Sequence, residues 1–339
     1  MKANPIILGI ESSCDDTAAA LIQNNTVLSN VIANQKVHQS YGGVVPELAS
    51  RAHQQNIVPV VEEAIKKAGI DKNQISAVAY TRGPGLMGSL LVGSSFSKSL
   101  SQALGIPLIE VNHMQGHILA HFIDDANDSS PEFPFLCLTV SGGHTQIVKV
   151  SDYFTFDILG ETIDDAAGEA FDKAGKILGL DYPAGPIIDK LAKEGNPNKF
   201  KFTKPKVDEL NFSFSGFKTA ILYFIQKEVR ENPEFIQENV ADLCASIQKT
   251  IVDILMDKLI PAVEQSGIQR VAIAGGVSAN SEIRSRLKQM EVDKGWKVFI
   301  PKFEYTTDNA AMIAMVGQLK FEYNHFSGLE ARSVAKYKI

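Results

Sequence analysis

Two apolar runs, each broken by a short polar turn and resumed at once, constrain the fold of this chain most. The first is "IILGI" at 6–10, the turn "ESSCDD" at 11–16 and "TAAALI" from Thr17. The second is "PFLCLTV" at 134–140, the turn "SGGHT" and "QIVKV" at 146–150. Apolar runs of this length bounded by turn residues read as paired strands. Their recurrence predicts a duplicated lobe, each copy presenting a polar hairpin to a shared cleft. Between and after the hairpins, strand and helix patterns alternate. "ELASRAHQQNIVPVVEEAIKKAG" (47–69) has helical spacing and stops at Gly69; "ISAVAYTRG" (75–83) reads as a strand entering "GPGLMGS". "LLVGSSFSKSLSQALG" (90–105) is a small-residue helix and "IPLIEV" (106–111) the next strand. The strand-to-helix step returns in "QRVAIAGGVSANSEIRSRLKQM" (269–290) and from "KVFIPKF" into "TTDNAAMIAMVGQLKF". Such alternation predicts an α/β fold with a largely parallel sheet. A chain of 339 residues exceeds one ordinary core, so two lobes are expected.

Charge and cysteine usage exclude several function classes. A net charge of −6 argues against indiscriminate binding to nucleic acid or membrane, though not against a locally held nucleic-acid substrate. Cys14, Cys137 and Cys244 lie far apart without a C-x-x-C, which disfavours a disulfide framework or zinc knuckle. The opening "MKANPIILGIESS" has neither a signal-peptide core nor an Arg-rich transit pattern. No apolar run reaches the roughly 18 residues of a membrane span. A reducing, cytoplasmic setting without membrane attachment is expected.

The stretch "NHMQGH" (112–117) puts His113 and His117 one helical turn apart, where two imidazoles can share a metal ion. The residue after the first histidine is Met114, not the glutamate of a zinc peptidase. A third ligand is needed, and Asp15, Asp16, Asp164, Asp165 and Asp308 are candidates, with His121 a rival one turn on. Asp308 opens "DNAAMIAM", where it can equally cap a helix. "VSGGHT" (140–145) and "AGGVSAN" (274–280) are glycine turns at strand ends, suited to close approach of a phosphate or carboxylate, or to nothing more than a turn. "GETIDDAAGEAFDKAGKILGLDYPAGP" (160–186) carries acids that suit ribose hydroxyls or a solvated helix face. "NFSFSGFKTA" (211–220) is explained by core packing as well as by function. In "KFKFTKPK", Lys199, Lys201, Lys204 and Lys206 alternate with Phe200 and Phe202, a pattern of a solvated edge or of single-stranded RNA contact.

Taken in order, "GIESSCDDTA", "YGGVVPELASR", "GPGLMGSLLVG", "HMQGH", "VSGGHT", "DDAAGEAFDKAGKILGL", "FSFSGFK", "AGGVSAN" and "TTDNAAMIA" resemble the TsaD family of tRNA N6-adenosine threonylcarbamoyltransferases over nearly the whole chain. The resemblance implies an actin-like, two-lobed α/β fold of the Hsp70 and sugar-kinase class with duplicated RNase H-like lobes, here expected at 1–130 and 131–339. The last helix is expected to pack back on the first lobe. It implies transfer of a threonylcarbamoyl group from threonylcarbamoyl-adenylate to N6 of adenine 37 in tRNAs reading codons that start with A, with release of AMP. It assigns His113, His117 and Asp308 to one divalent ion, iron or zinc. Thr139, Val140, Ser141, Gly142, Gly143, Asp172, Gly185, Asp189 and Asn280 are assigned to the adenylate, and ATP or AMP can occupy the same place. Ala184 in "YPAGP" departs from the glycine common in the family, while Gly185 is kept. The family also implies tRNA, the paralogue TsaB and the ATPase TsaE as partners. The proton acceptor is unassigned, His144 being one candidate. Two rival readings are a zinc metalloendopeptidase and a non-catalytic actin-like ATPase scaffold.

Overall fold

The computed structural model describes residues 4–35, 38, 41–124 and 129–339. By compactness the chain forms two units, one comprising the residues up to Ser130 together with Pro301–Ile339, the other Pro131–Ile300. In the first unit, β1 (Ile6–Glu11), β2 (Thr17–Gln23) and β3 (Thr26–Ala33) form an antiparallel meander. Helix α1 (Pro46–Ala68) leads to β4 (Ile75–Gly83), α2 (Met87–Leu104) leads to β5 (Leu108–Asn112), and α3 (His113–Leu119) follows immediately. The sheet order is β3-β2-β1-β4-β5, with β4 parallel to both β1 and β5.

The second unit repeats the plan. Strands β6 (Phe135–Val140), β7 (Thr145–Asp152) and β8 (Thr155–Glu161) form the meander. Helices α4 (Ala167–Ile177), α5 (Ala184–Ala192), α6 (Ser215–Glu231) and α7 (Phe235–Ser266) precede β9 (Arg270–Ala274), and α8 (Ser281–Lys294) precedes β10 (Lys297–Phe299). The order β10-β9-β6-β7-β8 is the first sheet's order read in reverse, with β9 parallel to β6 and β10. The predicted hairpins are therefore β1–β2 and β6–β7. The sheets are mixed rather than largely parallel. Turns of two to five residues cannot carry a parallel crossover, so each meander is forced antiparallel, and only the strands reached through helices run parallel.

Strands β1 and β6 are buried at every position, as central strands covered on both faces must be. The first core gathers Leu8, Ile10, Leu21, Val61, Val78 and Tyr80; the second gathers Leu138, Ile147, Phe171, Phe217, Ile251 and Leu255. The last helix, α9 (Ala310–Glu322), is buried continuously from Ala310 to Leu319 and packs on β1, β2 and β4. Gly9 permits that approach. A Cβ there would stand 2.5 Å from both the Ala310 carbonyl oxygen and the Ala314 nitrogen. The close crossing of β1 and α9 fixes where the residues just before α9 lie.

Candidate functional site

In the first unit the two histidines sit on α3, whose start is set by Asn112. Its side-chain oxygen accepts hydrogen bonds from the amides of Met114 (2.9 Å) and Gln115 (3.4 Å), two of the donors a helix N-terminus leaves unpaired. The Asn112 amide nitrogen donates outward to the Lys338 carbonyl at 3.0 Å. Segment 334–335 also binds the end of β4 and the loop after it, through Val334 N–H to Arg82 O (2.9 Å) and Gly85 N–H to Ala335 O (3.1 Å). Both imidazoles are buried, and their Nε2 atoms lie 3.1 Å apart. Asp308 Oδ1 completes the cluster, 3.4 Å from His113 Nε2 and 3.2 Å from His117 Nε2. The helix-cap alternative for Asp308 is not realised. Asn309 caps α9 instead, its oxygen accepting from Met312 N–H at 3.0 Å, and Asp308 is left with one face partly exposed.

Three donor atoms around one cation at bond lengths near 2.0–2.2 Å and tetrahedral angles would stand about 3.3–3.6 Å apart. The observed separations of 3.1, 3.2 and 3.4 Å are close to that. Behind His113, Glu11 Oε2 lies 3.1 Å from Nδ1 and Ser13 Oγ lies 3.2 Å from the same atom. Burial opposes charge on His113, yet the carboxylates of Asp308 and Glu11 outweigh it and hold its pKa well above the ordinary value. His117 moves the opposite way, lowered by burial, with the charge of His113 adding to the effect. Burial raises Asp308 and Glu11, but His113 more than offsets this, and both end below the usual carboxylate range. The carboxylates of Glu11 and Asp308 bring negative charge to an enclosed cluster around two imidazoles, which suits a divalent ion. Among the described residues, His113, His117 and Asp308 are the group of metal-ligating side chains that converges in this way. His121, Asp15, Asp16, Asp164 and Asp165 are not in it.

In the second unit the residues expected to meet an adenylate cluster around the carboxyl ends of β6 and β9, which pair Thr139 with Ala274. The turn after β6 is closed by Ser141 N–H to His144 O at 2.8 Å, and by His144 N–H to Ser141 Oγ at 3.1 Å. Thr139 and Val140 are buried, and the Thr139 hydroxyl donates to the Gln146 carbonyl at 3.3 Å. At Gly142 and Gly143 nothing stands within 4 Å of where a side chain would begin, so a ligand can reach their backbone. The start of α4 abuts this turn, with Gly168 N–H donating to Ser141 O at 3.1 Å. A Cβ on Gly168 would lie 2.6 Å from Ser141 O and 2.9 Å from Gly142 N.

The polar side chains of this cluster already have internal partners. Asn280 Oδ1 caps α8 through Glu282 N–H and Ile283 N–H (both 3.1 Å), and Asn280 Nδ2 donates to Gln248 Oε1 at 2.8 Å. Asp189 Oδ1 accepts from Ser281 N–H (3.1 Å) and Ser281 Oγ (2.7 Å). Asp172 Oδ1 accepts from Ala184 N–H at 2.8 Å, next to Gly185; burial raises its pKa against those amide bonds. Asp164 joins the "FSFSG" segment, accepting from Phe214 N–H (2.8 Å) and Ser213 Oγ (2.5 Å), and Asp165 pairs with Lys173 at 2.7 Å. In the basic–aromatic stretch, Phe200 and Phe202 turn inward, their ring centroids 5.4 and 5.5 Å from that of Phe224. Lys199 pairs with Asp242 at 2.6 Å and Lys204 with Asp257. The alternation is that of an extended segment that partly buries Phe200 and Phe202 and leaves the lysines outside.

Glu11 is the residue that the spacing argument passed over. Its signal was present: a carboxylate ending a strand that is otherwise wholly apolar. The peptidase reading finds no base in the cluster. Met114 is buried, and Glu11 lies on the Nδ1 side of His113, away from the convergent Nε2 atoms.

The described helices include none long and apolar enough to cross a membrane. Residues 26–315 match the family model TsaD, tRNA N6-adenosine threonylcarbamoyltransferase. A protein of that name from Christiangramia forsetii is 66% identical over 332 residues, covering 98% of each chain. Namesakes from Riemerella anatipestifer and Porphyromonas gingivalis are 64% and 59% identical, again over 98% of each chain. Among solved structures, HypF from T. kodakarensis is 14% identical with a TM-score of 0.61, covering 95% of this chain and 48% of that one. Full-length HypF in a phosphate- and nucleotide-bound form gives 0.58 at 14% identity, over 96% and 47%. These two likenesses concern the fold, and with the repeated strand order they place it in the actin-like α/β class with duplicated RNase H-like units. By the match across most of its length and by these identities, the chain belongs to the tRNA N6-adenosine threonylcarbamoyltransferase family.

Proposed function

We propose that this chain transfers the threonylcarbamoyl group of threonylcarbamoyl-adenylate to N6 of adenine 37 in tRNAs reading codons that begin with A. The observation that carries this is the 59–66% identity, end to end, to relatives bearing the transferase name. In the reaction a bond forms between adenine N6 and the carbamoyl carbon, and the bond from that carbon to the phosphate oxygen breaks. AMP leaves, and the N6 proton passes to a base or to water, His144 being one candidate. The acyl donor is already activated, so orientation is the protein's main task, worth up to about 7–11 kcal/mol in favourable cases.

Thr139–Gly143, Asp172, Gly185, Asp189 and Asn280 would hold the adenylate, with the open backbone at Gly142 and Gly143 receiving phosphate or developing negative charge. ATP or AMP would bind the same loops. Since Asn280 and Asp189 are engaged in building the start of α8, their part is to shape the pocket as much as to touch the ligand. His113, His117 and Asp308 would hold one divalent ion, iron or zinc, a donor set of two imidazoles and a carboxylate that suits either. Such an ion supplies Lewis-acid polarisation of an oxygen and a template for binding. The partners are the anticodon loop of tRNA, whose unpaired bases need little opening, and the family's TsaB and TsaE, in a cytoplasmic setting. The two compact units are read as the two lobes, with α9 a part of the first.

The deciding test is mass spectrometry of tRNA nucleosides after reaction with threonylcarbamoyl-adenylate and verified partner subunits. Threonylcarbamoyl-adenosine at position 37 is expected; unmodified tRNA in a metal-replete reaction would refute the proposal. Gly168→Ala offers a sharper check on the nucleotide loops. The new Cβ meets backbone rather than a movable side chain, and overpacking of this kind costs about 1–3 kcal/mol. If half of that falls on the Ser141–Gly143 turn, AMP binding followed by calorimetry weakens roughly 2–10-fold. Unchanged AMP affinity would remove that turn from the ligand site.

A further inference from the structure

We propose that Glu11 is a positioning residue that keeps the proton of His113 on Nδ1 and directs its Nε2 lone pair toward a divalent cation. The inference rests on the metal reading of His113, His117 and Asp308 and extends it to the residue behind the ligands. Glu11 ends β1, and its side chain has no exposure to solvent. A carboxylate removed from water at that depth is costly unless partners surround it. The partners are present and come from three places. Thr81, on the neighbouring β4, donates its hydroxyl to Oε2 at 2.6 Å. Ser13 donates its backbone N–H to Oε1, and His113 Nδ1 lies 3.1 Å from Oε2.

An ionised carboxylate can only accept hydrogen bonds, so the contact with His113 requires the proton to sit on Nδ1. The remaining ring nitrogen, Nε2, then presents a lone pair. It is the atom that faces His117 Nε2 and Asp308 Oδ1. Metal-binding histidines are commonly held in this way through their second nitrogen. The pair on α3 is unequal in this respect. His117 Nδ1 is buried with no hydrogen-bond partner among the described residues, so its ring is oriented only from the Nε2 side. The geometry of the site therefore depends on the one imidazole that is braced. A purely structural role for Glu11, tying β1 to β4 through Thr81, would leave the state of His113 to chance.

The test uses the intact protein loaded with Zn²⁺. Nitrogen-15 chemical shifts of the His113 ring are expected to show Nδ1 protonated and Nε2 coordinated; coordination through Nδ1 would overturn the proposal. Glu11→Gln keeps the side-chain volume and one of the two acceptor oxygens but removes the charge, and its Zn²⁺ affinity, measured against a chelator, is expected to fall about 10–100-fold. Thr81→Val, which frees the carboxylate to swing, is expected to lose affinity in the same direction by a smaller factor, and it decides the matter if Glu11→Gln does not fold. Wild-type binding that is lost in His117→Ala establishes the metal site itself. With that established, equal Zn²⁺ affinity in wild type and Glu11→Gln would sink the role of Glu11 alone. Absence of Zn²⁺ binding by the wild type would sink both.

Discussion

Asp308→Ala is expected to lose metal retention and most threonylcarbamoyl transfer together. The substitution removes one of three ligand atoms and leaves His113 Nε2 and His117 Nε2 facing each other at 3.1 Å with no carboxylate between them and solvent. A Lewis acid contributes several kcal/mol to transition-state charge stabilisation, so the rate should fall by roughly 10²–10⁴. Elemental analysis of purified protein and nucleoside mass spectrometry of the tRNA product read the two effects separately. Folding should survive, because the cap of α9 is Asn309 and not Asp308. Asp308→Asn keeps the volume with a weaker ligand and should fall between. Full activity in an Asp308→Ala protein without metal would show that the ion has no part in the reaction.

Gly9→Val is expected to be the most disruptive single change in the core of the first unit. Its Cβ would lie 2.5 Å from Ala310 O and Ala314 N and 2.8 Å from the Ala314 Cβ. None of these atoms can rotate away, so α9 must lift from β1. Overpacking typically costs 1–3 kcal/mol, and a β-branched side chain against helix backbone belongs at about 3 kcal/mol or above. For units of this size each kcal/mol moves Tm by roughly 2–4 °C, which gives a drop of about 6–12 °C. Because Asp308 lies just before the Asn309 cap of α9, Zn²⁺ affinity should weaken in the fraction that remains folded. A thermal melt within a degree or two of wild type would show that the crossing has slack, and would remove Gly9 from any account of how Asp308 is placed.

Much of the fold was legible because burial leaves a local trace. β1 and β6 are continuous apolar runs, since both faces are covered, and α1 has a periodic pattern that stops at Gly69. Helix α7 escaped the same reading. Sixteen of its 32 residues are buried and they surround the axis, so no polar face sets a period. The mixed character of the sheets was also missed, although the short turns in each meander contained it.

The site was legible only in part. The histidine pair declared itself by spacing, and the glycine turns by composition. The acids of "DDAAGEAFDKAG" looked alike in sequence. In the structure Asp164 serves the "FSFSG" segment, Asp165 a lysine and Asp172 the start of α5. Which role each takes depends on which segment happens to lie against it. The same holds for Phe200 and Phe202, whose alternation with lysines in the sequence did not show that their rings pack on Phe224.

By itself, then, the sequence determined the duplicated hairpins, the strand-and-helix order and the placing of two imidazoles on one helical face. All three are set by periodicity and turn chemistry within a few residues. Spacing alone left the third ligand open among several acids, and only the family resemblance named Asp308; the tertiary structure shows it closing the cluster, Asn309 freeing it from capping, and Glu11 behind His113. Those outcomes depend on α9 crossing β1 at Gly9, where backbone meets backbone, and on a buried carboxylate finding partners on β4, in the β1–β2 turn and on α3. Contacts between distant segments carry no local pattern, because the free energy that selects them belongs to the packed core as a whole.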